Sequence, residues 1–165
     1  MTEQSATRRH LVAYVLVPLL LMCMVAGAGY LKYRGGSIVD AQAAANSSVQ
    51  AATEGTVALL SYSPDTAQAT LTAARDRLTG SFRDSYTSLT NDVVIPGAKE
   101  KKISATATVP AAASVSASEN HAVVLVYVDQ SVIVGDGAPS ATASAVQVTL
   151  DKVGSRWLIS GFDPK

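Results

Sequence analysis

The chain has 165 residues, with 13 basic and 13 acidic side chains, two His, one Cys and one Trp. A single Cys excludes an internal disulfide framework and a Cys-rich zinc site. The formal net charge of zero argues against a nucleic-acid-binding protein. Hydrophobic residues make up 48% of the chain but aromatic residues only 5%, so much of the apolar content consists of small side chains. The length allows one domain, with or without an appendage.

An apolar run lies near the N-terminus, from Leu11 through Leu21 to Leu31, and it contains no charged side chain. As a helix this run would be about 32 Å long, close to the thickness of a bilayer hydrocarbon core. Basic side chains flank it on both sides: Arg8, Arg9, Lys32 and Arg34. We therefore predict a tail over residues 1–10 and an uncleaved transmembrane anchor over residues 11–31.

Two other interpretations of this run stay open. It could be a cleaved secretory signal with a small-residue site at 26–28, or the paired arginines could belong to a twin-arginine signal. The length of the run and its basic C-terminal flank favour the anchor. The short basic tail predicts an N-terminus inside the cytoplasmic membrane, with residues 35–165 exported. That larger part carries nine basic and twelve acidic side chains and is mildly acidic.

Helical spacing follows the anchor. Apolar residues recur every three or four positions over residues 37–61, which predicts one long helix interrupted weakly by Gly55. Ser63, Pro64 and Asp65 predict the start of a second helix, and Gly80 predicts its end. Ser81 is then expected to cap a third helix that Pro96 kinks or ends.

After residue 102 the period of the apolar residues changes from 3.6 to 2. Strands are predicted over residues 103–109, continuing to 116 beyond an edge or bulge at Pro110, and over residues 122–134, 141–153 and 156–160. Three helices followed by a four-stranded antiparallel meander form an α+β domain over residues 35–165. This layout resembles the cone of the nuclear transport factor 2-like (NTF2-like) fold, which membrane-anchored assembly domains of type IV secretion systems share.

The sequence offers little material for catalysis. Cys23 lies in the apolar run and His121 in a predicted turn, so nucleophilic triads and zinc sites lack their residues. No cofactor is expected. A pocket inside the cone could use four candidate residues, Tyr86, Tyr127, Asp129 and Trp157, with Asp92 as a further acid. The alternative for these residues is structural: Trp157, like Phe82 and Phe162, would fill the core, and Asp129 would face solvent.

A series of short segments, in this order and spacing, resembles one protein family. The segments are ATEGTVALLSY at 52–62, PDT at 64–66, ARDRLTGSF at 74–82, VVIP at 93–96, AVVLVYV at 122–128 and WLISGFDP at 157–164. Together with the basic-flanked anchor they resemble the Mce-associated membrane proteins of mycobacteria and related actinobacteria. The resemblance covers nearly the whole chain.

The resemblance implies a function that spacing alone does not show. Members of that family act beside Mce lipid importers as accessory subunits that stabilise or assemble the transporter. It therefore implies a non-enzymatic protein whose partners are the lipid bilayer and Mce-family transporter subunits, with its domain outside the cytoplasmic membrane. It carries over no catalytic residue. Two alternatives remain: an independent module that binds lipid inside the cone, and a small pocket enzyme.

Overall fold

A helix leads into the folded domain. The computed structural model describes residues 40–165. The chain is helical from residue 40 to residue 60 (α1), in agreement with the described part of the helix predicted over 37–61. Small side chains form the buried face of α1 at intervals of four residues: Ala44, Ser48, Ala52 and Thr56. The predicted tail, the anchor at 11–31 and its basic flanks lie outside the described residues. Among residues 40–165, no helix combines the length and the hydropathy needed to span a bilayer.

The second helix starts later than predicted. α2 covers Ala67–Ala74 and continues as a 3-10 turn over Arg75–Arg77. Thr66 occupies the N-cap position, and Ser63 contributes its backbone carbonyl, which accepts a 2.8 Å hydrogen bond from the Ala67 N–H. The prediction that Ser63 begins the helix was therefore early by one turn, because Pro64 to Thr66 form a turn.

The third helix begins at Gly80, so the prediction of a Ser81 cap was wrong. α3 covers Gly80–Leu89 with Thr79 at its N-cap. The preceding Leu78 is extended and pairs with Ile159, and the Thr79 N–H donates to the Ile159 carbonyl at 2.9 Å. This pairing ends the preceding helical segment. Gly80 then takes a positive φ of 61°, which glycine adopts without strain.

Pro96 disturbs the third helix, as predicted. A π-helical turn covers Thr90–Val94, and α4 follows over Ile95–Lys101 with Pro96 in its first turn. The Ile95 N–H donates to the Thr90 carbonyl five residues back. Proline has no N–H and displaces the carbonyl four residues before it, so a wider turn just ahead of Pro96 accommodates the ring. The single predicted helix is thus present as α3 and α4 joined by a π turn.

The predicted meander is confirmed. The strands are β1 (Ile103–Ala117), β2 (His121–Val134), β3 (Ser140–Val153) and β4 (Arg156–Pro164), and they pair antiparallel in the order β1-β2-β3-β4. The β1–β2 register shifts between Thr108 and Ala111, which confirms a bulge at Pro110. β4 extends past the predicted residue 160 to Pro164.

One face of the sheet packs against the helices. On β2 the even-numbered residues from 122 to 128 are buried, and Val124, Val126 and Val128 join buried residues of β3 and β4 in the main core. Ala52 and Leu59 of α1 pack against this layer. A second cluster of Ala67, Leu71, Ile95 and Ala98 joins α2 to α4. The described domain is therefore an α+β unit with helices on one face of a four-stranded sheet, and it leaves the other face to solvent.

Candidate functional site

A cavity of about 350 Å³ opens between the C-terminal end of α1, α2, α3 with its π turn, and the sheet. Most of its lining is aliphatic or aromatic. The aliphatic lining residues are Leu59, Leu60, Leu71, Leu89 and Val94, and the aromatic ones are Tyr62, Phe82, Tyr86 and Phe162. No charged side chain from residues 40–165 lines this cavity.

Two polar side chains in the lining support the end of α1. The Tyr86 hydroxyl donates to the Leu59 carbonyl at 3.3 Å, and the Gln130 Nε2 donates to the Leu60 carbonyl at 3.3 Å. Both carbonyls belong to the last turn of α1, where no helical N–H remains to satisfy them. Tyr86 and Gln130 therefore act as a C-terminal cap that comes from α3 and β2.

This environment does not suit Tyr86 as an acid or base. Burial raises the pKa of Tyr86 far above its ordinary value, and the nearby Tyr62 adds to the effect. Burial also raises the pKa of Tyr62. Both phenols therefore keep their protons at physiological pH. In the geometry observed, Tyr86 uses its proton to hold a helix end.

The structure does not bring the four candidate pocket residues together. Tyr127 and Asp129 share one strand face, as predicted, but that face of β2 points away from the helices, and both side chains are exposed. Tyr127 lies between Ala111 and Ala145 of the neighbouring strands and is 51% exposed. Of the four, Tyr86 alone lines the cavity. The prediction of a joint pocket was therefore wrong, because β2 presents Tyr127 and Asp129 to the opposite face and Trp157 lies on β4 outside the cavity lining.

Trp157 has a structural position. Its Nε1 donates to the Ser47 Oγ at 2.9 Å, which ties β4 to α1, and its ring packs against the main core. The Lys152 ammonium lies 5.6 Å from the ring centroid. Asp92, the further acid considered, is exposed in the π turn. Neither Trp157 nor Asp92 lines the cavity that Tyr86 lines.

The sequence-based interpretation of Phe82 and Phe162 as core residues was incomplete. Both rings pack against the main core, but they also line the cavity, where they stack with centroids 6.3 Å apart. They were expected in the core because large side chains are scarce in this chain and are needed to fill it. Whether the space beside them is filled depends on packing between distant segments, which periodicity does not describe.

Charged groups elsewhere form surface pairs. His121 Nδ1 lies 2.7 Å from the Asp151 carboxylate, and Arg77 lies 3.3 Å from Glu54. The His121 contact is the largest cause that lowers the pKa of Asp151, followed by a hydrogen bond with Ser160. Within residues 40–165 no three metal-ligating side chains cluster. These pairs occupy exposed positions and stabilise the surface modestly.

Comparison with solved structures shows the fold. A periplasmic fragment of TraM superposes with a TM-score of 0.61, covering 73% of this chain and 96% of that chain at 13% identity. The periplasmic domain of DotI gives 0.60, covering 71% and 91% at 15% identity. The VirB8 protein of Agrobacterium tumefaciens gives 0.56, covering 70% and 88% at 17% identity. The predicted NTF2-like α+β fold is confirmed, and the VirB8 protein shares it. Identities this low establish the fold and not the activity.

Comparison by sequence shows closer relatives. The chain is 57% identical over 155 residues to the outer membrane protein Rv1973 of Mycobacterium tuberculosis, covering 94% of this chain and 97% of the relative. It is 44% identical over 154 residues to the uncharacterized protein Rv1362c of the same species, covering 90% and 70%. The family described as "Uncharacterized protein Rv1363c/MT1408-like" matches residues 10–160. The chain therefore belongs to the Rv1363c/MT1408-like family.

Proposed function

We propose that the protein is a non-enzymatic accessory subunit of a cell-envelope complex, and specifically of an Mce-type lipid importer. Residues 11–31 would anchor it in the cytoplasmic membrane, and residues 35–165 would form the extracytoplasmic domain. The domain would stabilise or assemble the transporter by contact with its subunits.

This proposal rests on one observation: several titratable and polar side chains of the domain make contacts that hold the domain itself together. Tyr86 caps α1, Trp157 ties β4 to α1, and Asp151 pairs with His121. The remaining candidates, Tyr127 and Asp129, lie on an open sheet face, where their neighbours on the adjacent strands are Ala and Thr residues. Such a domain is suited to contacts between proteins rather than to bond-making chemistry.

The comparisons support an envelope location. Rv1973 bears the name of an outer membrane protein, and the TraM and DotI domains of the same fold are periplasmic. The Mce association and the cytoplasmic-membrane anchor rest on the resemblance and on the apolar run. Separating the cytoplasmic and outer membranes of a mycobacterial host, and locating the full-length protein in one of them, tests the anchor directly.

Affinity purification of the full-length protein tests the accessory role. A C-terminally tagged copy is expressed in a mycobacterial host, extracted in mild detergent and analysed for co-purifying proteins. We expect Mce and permease subunits in fixed proportion. The matched control carries residues 1–39 fused to an unrelated exported domain, which separates contacts of the anchor from contacts of the domain. Recovery of the full-length protein without any Mce or permease subunit would contradict the proposal.

The cavity favours a second candidate function, the binding of lipid inside the domain. Ligand sites in proteins are typically apolar clefts of about 300–1,000 Å³ with few polar groups. The cavity beside Tyr86 measures about 350 Å³ and has no charged lining residue among residues 40–165. Purification of the full-length protein followed by extraction and mass spectrometry of bound lipid tests this candidate.

A further inference from the structure

The chemistry of the cavity wall restricts what can occupy it. Three polar side chains in the wall donate their hydrogens to backbone carbonyls: Tyr86 to Leu59, Gln130 to Leu60, and the Thr90 hydroxyl to Tyr86 at 2.8 Å. Because these donors are engaged, they present mainly carbon to the interior. A charged ligand group would have to lose its water without meeting an opposite charge in the described lining, which is costly.

The volume limits the size of the occupant. A cavity of about 150 Å³ lined by aliphatic and aromatic side chains accommodates benzene, which has six carbons. At the same carbon density, the cavity of about 350 Å³ accommodates on the order of 14 carbons. That is enough for one medium-length aliphatic chain. It is too small for a whole diacyl lipid or for the fused rings of a sterol.

The opening lies along α3. Ser85 and Leu89 line the cavity and are also exposed, and they are one helical turn apart, so they mark where the interior meets solvent. Leu89 is 55% exposed, and Val93, one turn further on, is 60% exposed without lining the cavity. The π turn Thr90–Val94 forms the adjoining wall, and such turns occur often at functional sites.

We infer that the cavity binds one unbranched aliphatic chain of about 10–14 carbons, which enters past Leu89 and leaves its polar end near Ser85. The chain belongs to a free fatty acid or to one acyl chain of a larger lipid, since both present the same methylenes. This inference rests on the second candidate function and names its ligand class. It is independent of the accessory role.

Photolabelling of the full-length protein in phosphatidylcholine vesicles tests the inference. One probe is dodecanoic acid with a terminal diazirine, and the other is a phosphatidylcholine with the same diazirine on one chain. After illumination, digestion and mass spectrometry, we expect adducts on the segments 59–62 and 82–94. Labelling by both probes indicates recognition of the chain whatever its headgroup. Labelling by the acid alone indicates a free fatty acid.

Matched variants locate the opening. Leu89→Asp should reduce labelling of segment 59–62 at least about fivefold, because bound chain would cover this side chain and strip water from its carboxylate. Val93→Asp, equally exposed but outside the cavity, should leave labelling within about twofold of the parent protein. Ser85→Phe narrows the opening without a charge and should also reduce labelling. Thermal unfolding by circular dichroism checks that all three variants are folded.

Four results would overturn the inference. Equal labelling in Leu89→Asp and Val93→Asp would show that the chain does not enter past Leu89. If unlabelled cholesterol reduced the photolabelling as strongly as unlabelled dodecanoic acid, the site would bind lipid but would not have the proposed shape. The lipid-binding candidate function would then still stand. Adducts confined to residues 1–39, together with no lipid recovered by extraction, would contradict both the aliphatic-chain inference and the lipid-binding candidate function. A protein segment cross-linked at the cavity in place of lipid would likewise overturn it.

Discussion

A glycine in the middle of α1 allows the helix to approach the sheet closely. A Cβ placed on Gly55 would lie 2.6 Å from Ile159 Cδ1 and 3.5 Å from Ile159 Cγ1. Carbon atoms pack favourably at about 3.5–4.0 Å, so Gly55→Ala requires α1 or Ile159 to shift by about 1 Å. Ile159 is 1% exposed and belongs to the main core, so it has little room to move.

The expected magnitude is the difference between two effects. Overpacking a core costs about 1–3 kcal/mol, whereas replacing glycine by alanine within a helix contributes about 1 kcal/mol of stability. We therefore expect Gly55→Ala to lower the free energy of unfolding by up to about 2 kcal/mol. Urea unfolding of the full-length protein, followed by fluorescence of its single Trp, measures this change, because Trp157 bridges β4 and α1.

Two further variants make the test specific. Gly97→Ala in α4 meets no atom within 4 Å, so it should stabilise by about 0.5–1 kcal/mol. Ile159→Val removes Cδ1 and alone costs about 0.5–1.5 kcal/mol. The double variant Gly55→Ala/Ile159→Val should lose about 1 kcal/mol less of its free energy of unfolding than the sum of the two single variants. If Gly55→Ala stabilised as much as Gly97→Ala, the close contact with Ile159 would be refuted.

Two other predictions concern polar contacts. Tyr86→Phe removes the donor to the Leu59 carbonyl and should lower the free energy of unfolding by about 1 kcal/mol in the same urea titration, and an unchanged value would contradict the capping role. Asp151→Asn tests the pair with His121: hydrogen bonds lower the pKa of Asp151 in the folded state, so their stabilisation is present above the ordinary Asp pKa and lost as pH falls through the lowered value. Urea midpoints of parent and variant should therefore converge as the pH falls below the ordinary Asp pKa, and a difference that grew towards low pH would exclude this linkage.

The local patterns of the sequence predicted the elements well, since each pattern reports its own segment. The four strands, the bulge at Pro110 and the disturbance at Pro96 all follow from periodicity and from the missing proline N–H. The start of α3 did not follow. Leu78 leaves the helix because it pairs with Ile159, some eighty residues later in the chain, and no local signal describes that contact.

The site was less predictable for a related reason. Tyr127 and Asp129 were correctly placed on one face of β2, but this strand is apolar on both faces: Val124 and Val126 point to the helices and Val123 and Leu125 to the other side. Alternation alone therefore does not say which face meets the helices. The cavity itself arises where α1 ends against α3, and it becomes visible only when both are placed.

The small residues on the buried face of α1 imply that size, more than polarity, limits substitution there. Ser48 and Thr56 are completely buried beside Ala44 and Ala52. The Ser48 hydroxyl donates a hydrogen bond to the Ala45 carbonyl at 3.0 Å. The contact between this face and the sheet accommodates side chains of this size and leaves no room for a long one. Sequence drift at this interface should therefore keep side chains no larger than those of Ala, Ser and Thr and exclude Leu or Phe, a pattern that hydrophobicity alone would miss. It also explains how a chain so poor in aromatic residues closes a dense core: the backbones come together where large side chains would otherwise fill the space.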